Sequence, residues 1–400
     1  MNDLLAAILP RNRFYARTFR GIDLPVDWQT FARLPLTSKA DLIADQEAHP
    51  PFGDILTYPP DRYCKYHQTS GTKGRPLAVL DTDDSWAWWT DCWRSVYASA
   101  GVTASDRLFF AFSFGPFIGF WSAYSGAQQI GAMAIPAGGA DTRSRLQMMQ
   151  SARPTVLMCT VTYALRLAEV AAEEEIDLPG IGVRALIHAG EPGASVPAVR
   201  DRIERAYAAT CWDHAGATEV GAHSYSCGAR IGLHVNEAEF IAEILDPVTL
   251  TPVGDGGRGE LVLTNLGRAG WPVVRYRTGD LVEAGGRRCP CGRTFLMLAG
   301  GILGRIDDLM IIRGVNIYPS ALEAIVRTFP VAEYRIVRVI RHSMEEIDVE
   351  IEASEATAPA LQEAFRQRLG LRIDVRIVPD RSLPRFELKA QRVIDRRDLH

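Results

Sequence analysis

The sequence predicts an α/β protein. Its large, multi-layer N-terminal part is built on mainly parallel sheets, a β-barrel-like or antiparallel portion follows after about residue 230, and a small α+β unit ends the chain. Three observations carry this reading. Short apolar runs alternate with stretches of helical spacing between about residues 108 and 191, the pattern of parallel strands covered on both faces by crossover helices. From Ala238 onward the apolar residues alternate with period two and stop at Gly and Asp turns, as in half-buried antiparallel strands. From Tyr318 a helix, two strands, a helix and a strand follow one another closely.

In chain order, LFFAFSF (108–114) reads as a buried strand leading into a glycine-rich helix. AMAIPA (132–137), PTVLMCT (154–160) and VRALIHAGE (183–191) read as further buried strands. Between them RSRLQMMQSA (143–152) and YALRLAEVAAEEE (163–175) have helical spacing. AEFIAEIL, GRGELVLTNL and WPVVRYRTGDLVEA form the alternating portion. Pro319 sits where a helix start tolerates it, opening PSALEAIVRTF. The strands EYRIVRVI and EIDVEIEAS, the helix PALQEAFRQRLG and the strand RIDVRIVP complete the last unit. At 400 residues two domains are expected, divided into 1–303 and 309–400 with the boundary at 304–308. A cleft between two domains is a natural ligand site.

Composition narrows the function. Apolar residues make up 47% and charged residues 23% of the chain, and the net charge is −4, so nucleic-acid binding has no electrostatic support. The start, MNDLLAAILPRNRF, lacks the basic opening and long apolar core of a signal peptide. The expected location is the cytoplasm. Leu108 to Ala140 holds no charged residue, but its glycines and prolines fit a buried strand, an aromatic loop and a core helix better than a membrane span. Seven cysteines in a reducing compartment argue against a disulfide framework. Cys64, Cys92, Cys159 and Cys211 are scattered and read as core residues. Cys227, His234, Cys289 and Cys291 together offer a Cys₃His tetrahedral zinc set. The alternatives are reduced thiols in a polar turn, or His223 as the ligand in place of His234. With four protein ligands such a zinc would be structural, pinning the CPCG turn to the segment after Glu219.

One stretch suggests phosphate. In TSGTKGRP (69–76), Gly71 and Gly74 allow backbone conformations that let successive N–H groups curl around an anion. Thr69, Ser70 and Thr72 add hydroxyl donors, and Lys73 adds a positive charge. The spacing is not that of a kinase-type P-loop, and a plain polar turn before PLAVLD is the bland alternative.

Five stretches in order then carry a resemblance over nearly the whole chain: TSGTKGRP, HAGEP (188–192), DHAGATEVG (213–221), RYRTGD (275–280) with GRIDDLMIIRGVNIYPSALE (304–323), and ELKAQRV (387–393). Together they resemble the adenylate-forming superfamily of acyl-CoA synthetases, adenylation domains and luciferases, and within it the phenylacetate-CoA ligases. The resemblance implies that ATP and a small carboxylic acid bind the N-terminal domain, while a small mobile C-terminal domain swivels over it. An acyl-adenylate forms first, and coenzyme A then takes the acyl group.

Residue by residue, the resemblance assigns Thr69, Ser70, Gly71, Thr72, Lys73 and Gly74 to the β- and γ-phosphates. Asp280 goes to the ribose hydroxyls and Arg305 to the nucleotide near the hinge, with Asp307 as the hinge itself. Glu219 would hold Mg²⁺ and Thr218 would face the phosphates. Lys389 would be the catalytic lysine. Asp213, His214 and Ala215 join Gly190, Glu191 and Pro192 around the nucleotide. Ala215 is a departure, because the family usually has an aromatic there to stack on adenine; backbone at 190–192 is one substitute. Phe114, Phe117, Phe120, Trp121, Ala189 and Gly216 would form the acyl pocket, for an aromatic or arylacetic acid. Two other acceptors stay open, a carrier-protein thiol or an amine, as do a homodimer and a non-catalytic nucleotide-binding descendant. CPCGR also recurs in relatives, some with zinc.

Overall fold

The computed structural model describes residues 1–69, 75–112, 114–116, 118–313, 315–341, 344–386 and 390–397. Four short helices lead in: α1 Asn2–Ile8, α2 Arg13–Thr18, α3 Trp28–Phe31 and α4 Lys39–Ala48. The start of α4 is fixed by a capping box, Ser38 bonding the Asp41 backbone and Asp41 bonding back. A hairpin of β1 (Tyr63–Gln68) and β2 (Ala78–Thr82) is followed by α5, Asp83–Ser99. Thr82 caps α5, whose first turn holds Asp83 and Asp84, where carboxylates favour the helix dipole.

The βα alternation comes next: β3 Arg107–Phe110, α6 Trp121–Gln129, β4 Met133–Pro136, α7 Thr142–Ala152, β5 Val156–Cys159, α8 Val161–Glu173, β6 Ala185–His188, α9 Pro197–Tyr207 and β7 Thr210–Ala217. Then β8 Gly221–Ser226, β9 Gly232–Val235, β10 Phe240–Leu245, β11 Arg258–Asn265, β12 Tyr276–Glu283, β13 Met297–Ala299 and β14 Gly304–Arg305 complete the N-terminal part. The main sheet has the order β13-β9-β8-β7-β6-β5-β3-β4. Strands β4, β3, β5, β6 and β7 run parallel, and β8, β9 and β13 are antiparallel additions. Each of β5 and β6 is buried at every position, which is why the sequence reads there as unbroken apolar runs. The alternating portion is an antiparallel sheet, β10-β11-β12-β14.

The last unit comprises β15 Met310–Ile312, β16 Val315–Ile317, α10 Pro319–Val326, β17 Tyr334–Arg341, β18 Met344–Ile351, α11 Thr357–Leu369, β19 Asp374–Ile377 and β20 Val393–Asp395. It has its own apolar core, running from Met310 through Leu322, Ile336, Val349 and Phe365 to Val375. The segment 108–140 becomes β3, a loop, α6 and β4, and among the described residues no helix is long and apolar enough to cross a membrane.

One expectation is corrected. Cys92, Cys159 and Cys211 are buried, but Cys64 is exposed. The pairing of β1 with β2 slips between Tyr63 and Lys65, and Cys64 turns outward to face the Asp83 carboxylate at 2.9 Å.

Asp81 on β2 and Arg268, in the loop after β11, are both fully buried. The guanidinium binds the carboxylate in a bidentate manner, Nε–Oδ1 2.6 Å and Nη2–Oδ2 2.7 Å. Its Nη1 donates to the carbonyls of Thr218 at 3.0 Å and Glu219 at 3.1 Å, and it lies 4.1 Å over the Trp89 ring. Asp81→Ala leaves that cation buried without its anion and should cost about 3–5 kcal/mol in urea unfolding. The same substitution in an Arg268→Met background should cost far less; equal costs in both backgrounds would mean the pair is not coupled.

Candidate active site

The parallel strands β5, β6 and β7 all end at one edge of the main sheet, where ligands of open α/β sheets bind. His188 at the end of β6 lies beside Asp213 of β7. The segment Ala189–Pro192 therefore leaves the sheet next to His214–Gly216. The Nδ1–H of His214 donates to the Ser224 carbonyl at 2.8 Å, and the ring packs 4.3 Å from Trp93. Burial pulls the His214 imidazole down to about 4, so it is neutral at ordinary pH. Burial also pushes the Asp213 carboxyl up to about 6, against a hydrogen bond from Ser195. Gly216 approaches its neighbours closely: a Cβ there would stand 2.9 Å from the Gly221 carbonyl and 3.1 Å from His214 Nε2. Ala215 offers no ring.

Glu219 is buried and has two side-chain partners. Lys39 Nζ stands 3.1 Å from its Oε1, and the Tyr276 hydroxyl bonds it as well. Its backbone and that of Thr218 are held by Arg268. Lys39 is the first residue of α4, placed there by the Ser38 cap. Sequence reasoning passed over it, although a lysine directly after a capping serine was the available signal. Of the expected phosphate loop only the edges are described. Thr69 and Leu77 exchange backbone and hydroxyl hydrogen bonds at 3.0 Å, whereas Ser70, Gly71, Thr72, Lys73 and Gly74 lie outside the described residues.

Asp280 and Arg305 face each other as partners in β12 and β14. Arg305 Nη1 donates to Asp280 Oδ1 at 2.9 Å and to the Thr278 carbonyl at 2.6 Å. Gly279 makes this possible. It has a φ of +73°, and a Cβ there would lie 2.6 Å from Arg305 Nη2. Asp307 stands in the short turn Ile306–Asp308, between β14 of the N-terminal sheet and β15 of the C-terminal core.

In the aromatic loop, Phe114 meets Trp121 edge-on with centroids 4.4 Å apart, and the Trp121 Nε1–H donates to the Gly115 carbonyl at 3.2 Å. Phe120 is only 4% exposed and packs on Phe112 at 4.4 Å, so it belongs to the core. Phe117 lies outside the described residues, as does Lys389. The residue after the lysine, Ala390, is described: its N–H donates to Glu191 Oε2 at 3.2 Å. Both carboxylate oxygens of Glu191 are in use, since Oε1 accepts the Thr162 N–H at 2.6 Å. What residues 190–192 can offer a nucleotide is therefore chiefly backbone.

The ligand atoms of Cys227, His234, Cys289 and Cys291 all lie within 4.8 Å of one another. Cys227 Sγ and Cys289 Sγ are 3.6 Å apart, and Cys291 Sγ is 3.5 Å from His234 Nε2. A tetrahedron with ~2.3 Å sulfur and ~2.05 Å nitrogen bonds has edges of roughly 3.8 and 3.5 Å. The His234 Nδ1–H donates to the Phe295 carbonyl at 3.2 Å, which fixes the tautomer and presents Nε2, as in ligating histidines. His223 is engaged with the Ser224 hydroxyl at 2.8 Å and lies outside the cluster. These four residues fit a structural zinc.

Fold and site together define an adenylate-forming enzyme. The chain belongs to the AMP-binding enzyme family, whose model matches residues 35–268, with the AMP-binding enzyme C-terminal domain matching 314–397. It is 30% identical to a phenylacetate-coenzyme A ligase of Thermus thermophilus over 98% of this chain and 94% of that one. With the Escherichia coli phenylacetate-coenzyme A ligase the identity is 31% over 96% and 90%. Among solved structures, a 2-hydroxyisobutyryl-CoA ligase is similar at 31% identity, covering 100% of this chain and 88% of that one. In the post-adenylation state with an acyl-AMP the TM-score is 0.93. The same ligase in its thioester-forming state gives 0.75. The two units therefore stand here as they do in that ligase's post-adenylation state.

Metal analysis of protein purified without a His-tag should find ~1 zinc per chain. Cys289→Ser should lose the metal and lower the melting temperature while leaving the chemistry in place. Metal-free wild-type protein of undiminished stability would refute the zinc assignment.

Proposed function

We propose that this enzyme uses ATP to convert an aromatic or arylacetic acid to its acyl-adenylate, then passes the acyl group to coenzyme A. What supports this reading is the match over the whole chain to a related ligase solved with an acyl-AMP, together with two charged pairs, Glu219 with Lys39 and Asp280 with Arg305, that both stand beside Tyr276. The names of the phenylacetate-CoA ligase relatives support the acid class, and the Phe114–Trp121 pair suits a flat ring.

The chemistry brings an anionic carboxylate onto a triphosphate, so cations and positioning dominate the barrier. Lys73, in the loop between β1 and β2, and Lys39 supply charge on the phosphate side. Asp280 accepts the ribose hydroxyls, held at the right height by Arg305. Glu219 is the carboxylate that would hold Mg²⁺, an ion suited to carboxylate and phosphate oxygens that would supply positive charge against the pyrophosphate. Thr218 faces the phosphates beside it. Lys389, one residue before Ala390, neutralises charge at the α-phosphate. Rotation about Asp307 then exchanges this arrangement for the thiol-accepting one. A carrier-protein thiol or an amine is the alternative acceptor. A reducing compartment, the cytoplasm, suits seven thiols.

Pyrophosphate exchange across a panel of carboxylic acids tests the reading, with phenylacetate expected among the best substrates. Exchange without CoA-thioester formation would favour the alternative acceptors. Lys389→Ala should lower acid-dependent exchange roughly 10²–10³-fold and leave thioester formation from supplied acyl-adenylate largely intact. Equal loss in both half-reactions would remove Lys389 from its role.

A further inference from the structure

The start of α8 is a docking point for the C-terminal segment. Thr160 caps α8 by accepting the Tyr163 N–H, and the next free amide, that of Thr162, goes to Glu191. The other oxygen of Glu191 accepts the Ala390 N–H. Arg392 Nη1 reaches the Thr162 hydroxyl at 3.4 Å while its other nitrogens bind Glu333. One carboxylate of the N-terminal part thus ties the first turn of a helix at one oxygen and the lysine-bearing segment of the C-terminal unit at the other.

We propose that Glu191 is a positioning residue for adenylate formation: its carboxylate, anchored on the Thr162 amide, holds the Ala390 backbone and so docks the C-terminal unit in the arrangement of that half-reaction. The geometry suits the task. A carboxylate has two oxygens and can accept both amides at once, which neither a glutamine nor an aspartate at this place can repeat: the first turns an NH₂ toward one donor, and the second is a methylene too short. Burial raises the carboxyl of Glu191; the Thr162 N–H offsets that cost in either arrangement, and the Ala390 N–H only while the units are together. When the C-terminal unit rotates away, the Ala390 contact is lost and water replaces it. The contact therefore belongs to one half-reaction alone.

This inference rests on the ligase reading, and the test separates the two. Wild type, Glu191→Gln, Glu191→Ala and Ala390→Pro are compared in acid-dependent pyrophosphate exchange and in thioester formation from supplied phenylacetyl-adenylate and CoA. Proline at 390 removes the donor without touching the N-terminal fold. Both Glu191 variants and Ala390→Pro should lose roughly 10- to 100-fold in exchange, the effect of one charge-assisted hydrogen bond, and within about threefold in thioester formation. The double variant Glu191→Ala/Ala390→Pro should be no worse than the weaker single. A wild type without acid-dependent exchange would overturn the ligase reading and this assignment with it. A wild type that exchanges, with variants that lose both half-reactions equally or with additive losses, would overturn the Glu191 assignment alone.

Discussion

The buried pair of Arg268 and Asp81 is the constraint on which the site depends. Taking both charges out of water is costly, and the fold offsets that cost only by filling the guanidinium's donors: two on the carboxylate, two on the carbonyls of Thr218 and Glu219, with Trp89 beneath. Three pieces far apart in the chain are fixed by one planar group. They are strand β2, the backbone of Thr218 and Glu219, and the first half of α5. A lysine has neither the fork nor the reach to do this. Since β2 cannot shift without dragging the Glu219 backbone, the hairpin and the Thr218–Glu219 segment are locked together.

The contacts between the N-terminal part and the C-terminal unit are of another kind. Between the units run single polar contacts: Arg202 to the Val331 carbonyl at 3.3 Å, Arg381 to Glu173 at 2.8 Å, Arg392 to Thr162 and Ala390 to Glu191. Polar groups of this sort are nearly as well served by water. Each unit keeps its own apolar core. That balance would suit the proposed exchange between two arrangements. Closing must be favourable enough to form and weak enough to undo.

The fold was legible in the sequence because its periodicities are strong. The parallel strands are buried on both faces and read as solid apolar runs, and the antiparallel ones alternate. The Cys₃His set was legible too, since cysteine and histidine have few other reasons to recur at such places. What escaped was long-range pairing. Arg268 looks like a loop arginine until Asp81, 187 residues away, is placed beside it. Lys39 looks like a surface lysine until the Ser38 cap aims it at Glu219. Glu191 sits in a motif that reads as nucleotide-binding, yet its carboxylate is turned toward a segment 199 residues later. Cys64 was misplaced because a register slip in a hairpin leaves no mark on composition. Motifs locate a site; the charges that tune it come from elsewhere in the chain.

The metal cluster bears on a hazard of the main sheet. At one end the sheet stops at β4, whose last residue is Pro136, and proline cannot donate to a further strand. At the other end it stops at β13, only three residues long, whose Met297 pairs with His234 itself. Cys289 and Cys291, just before β13, and Cys227, at the end of β8, gather around that same histidine. A metal held by these four residues would staple the terminal strand to the two behind it. If the staple is lost, β13 can peel away and bare the fully buried strand β9 as a new edge, a template for another chain. Were zinc bound there, a chelator would be less an inhibitor of this protein than an aggregation trigger, and zinc supply during synthesis would govern yield before activity.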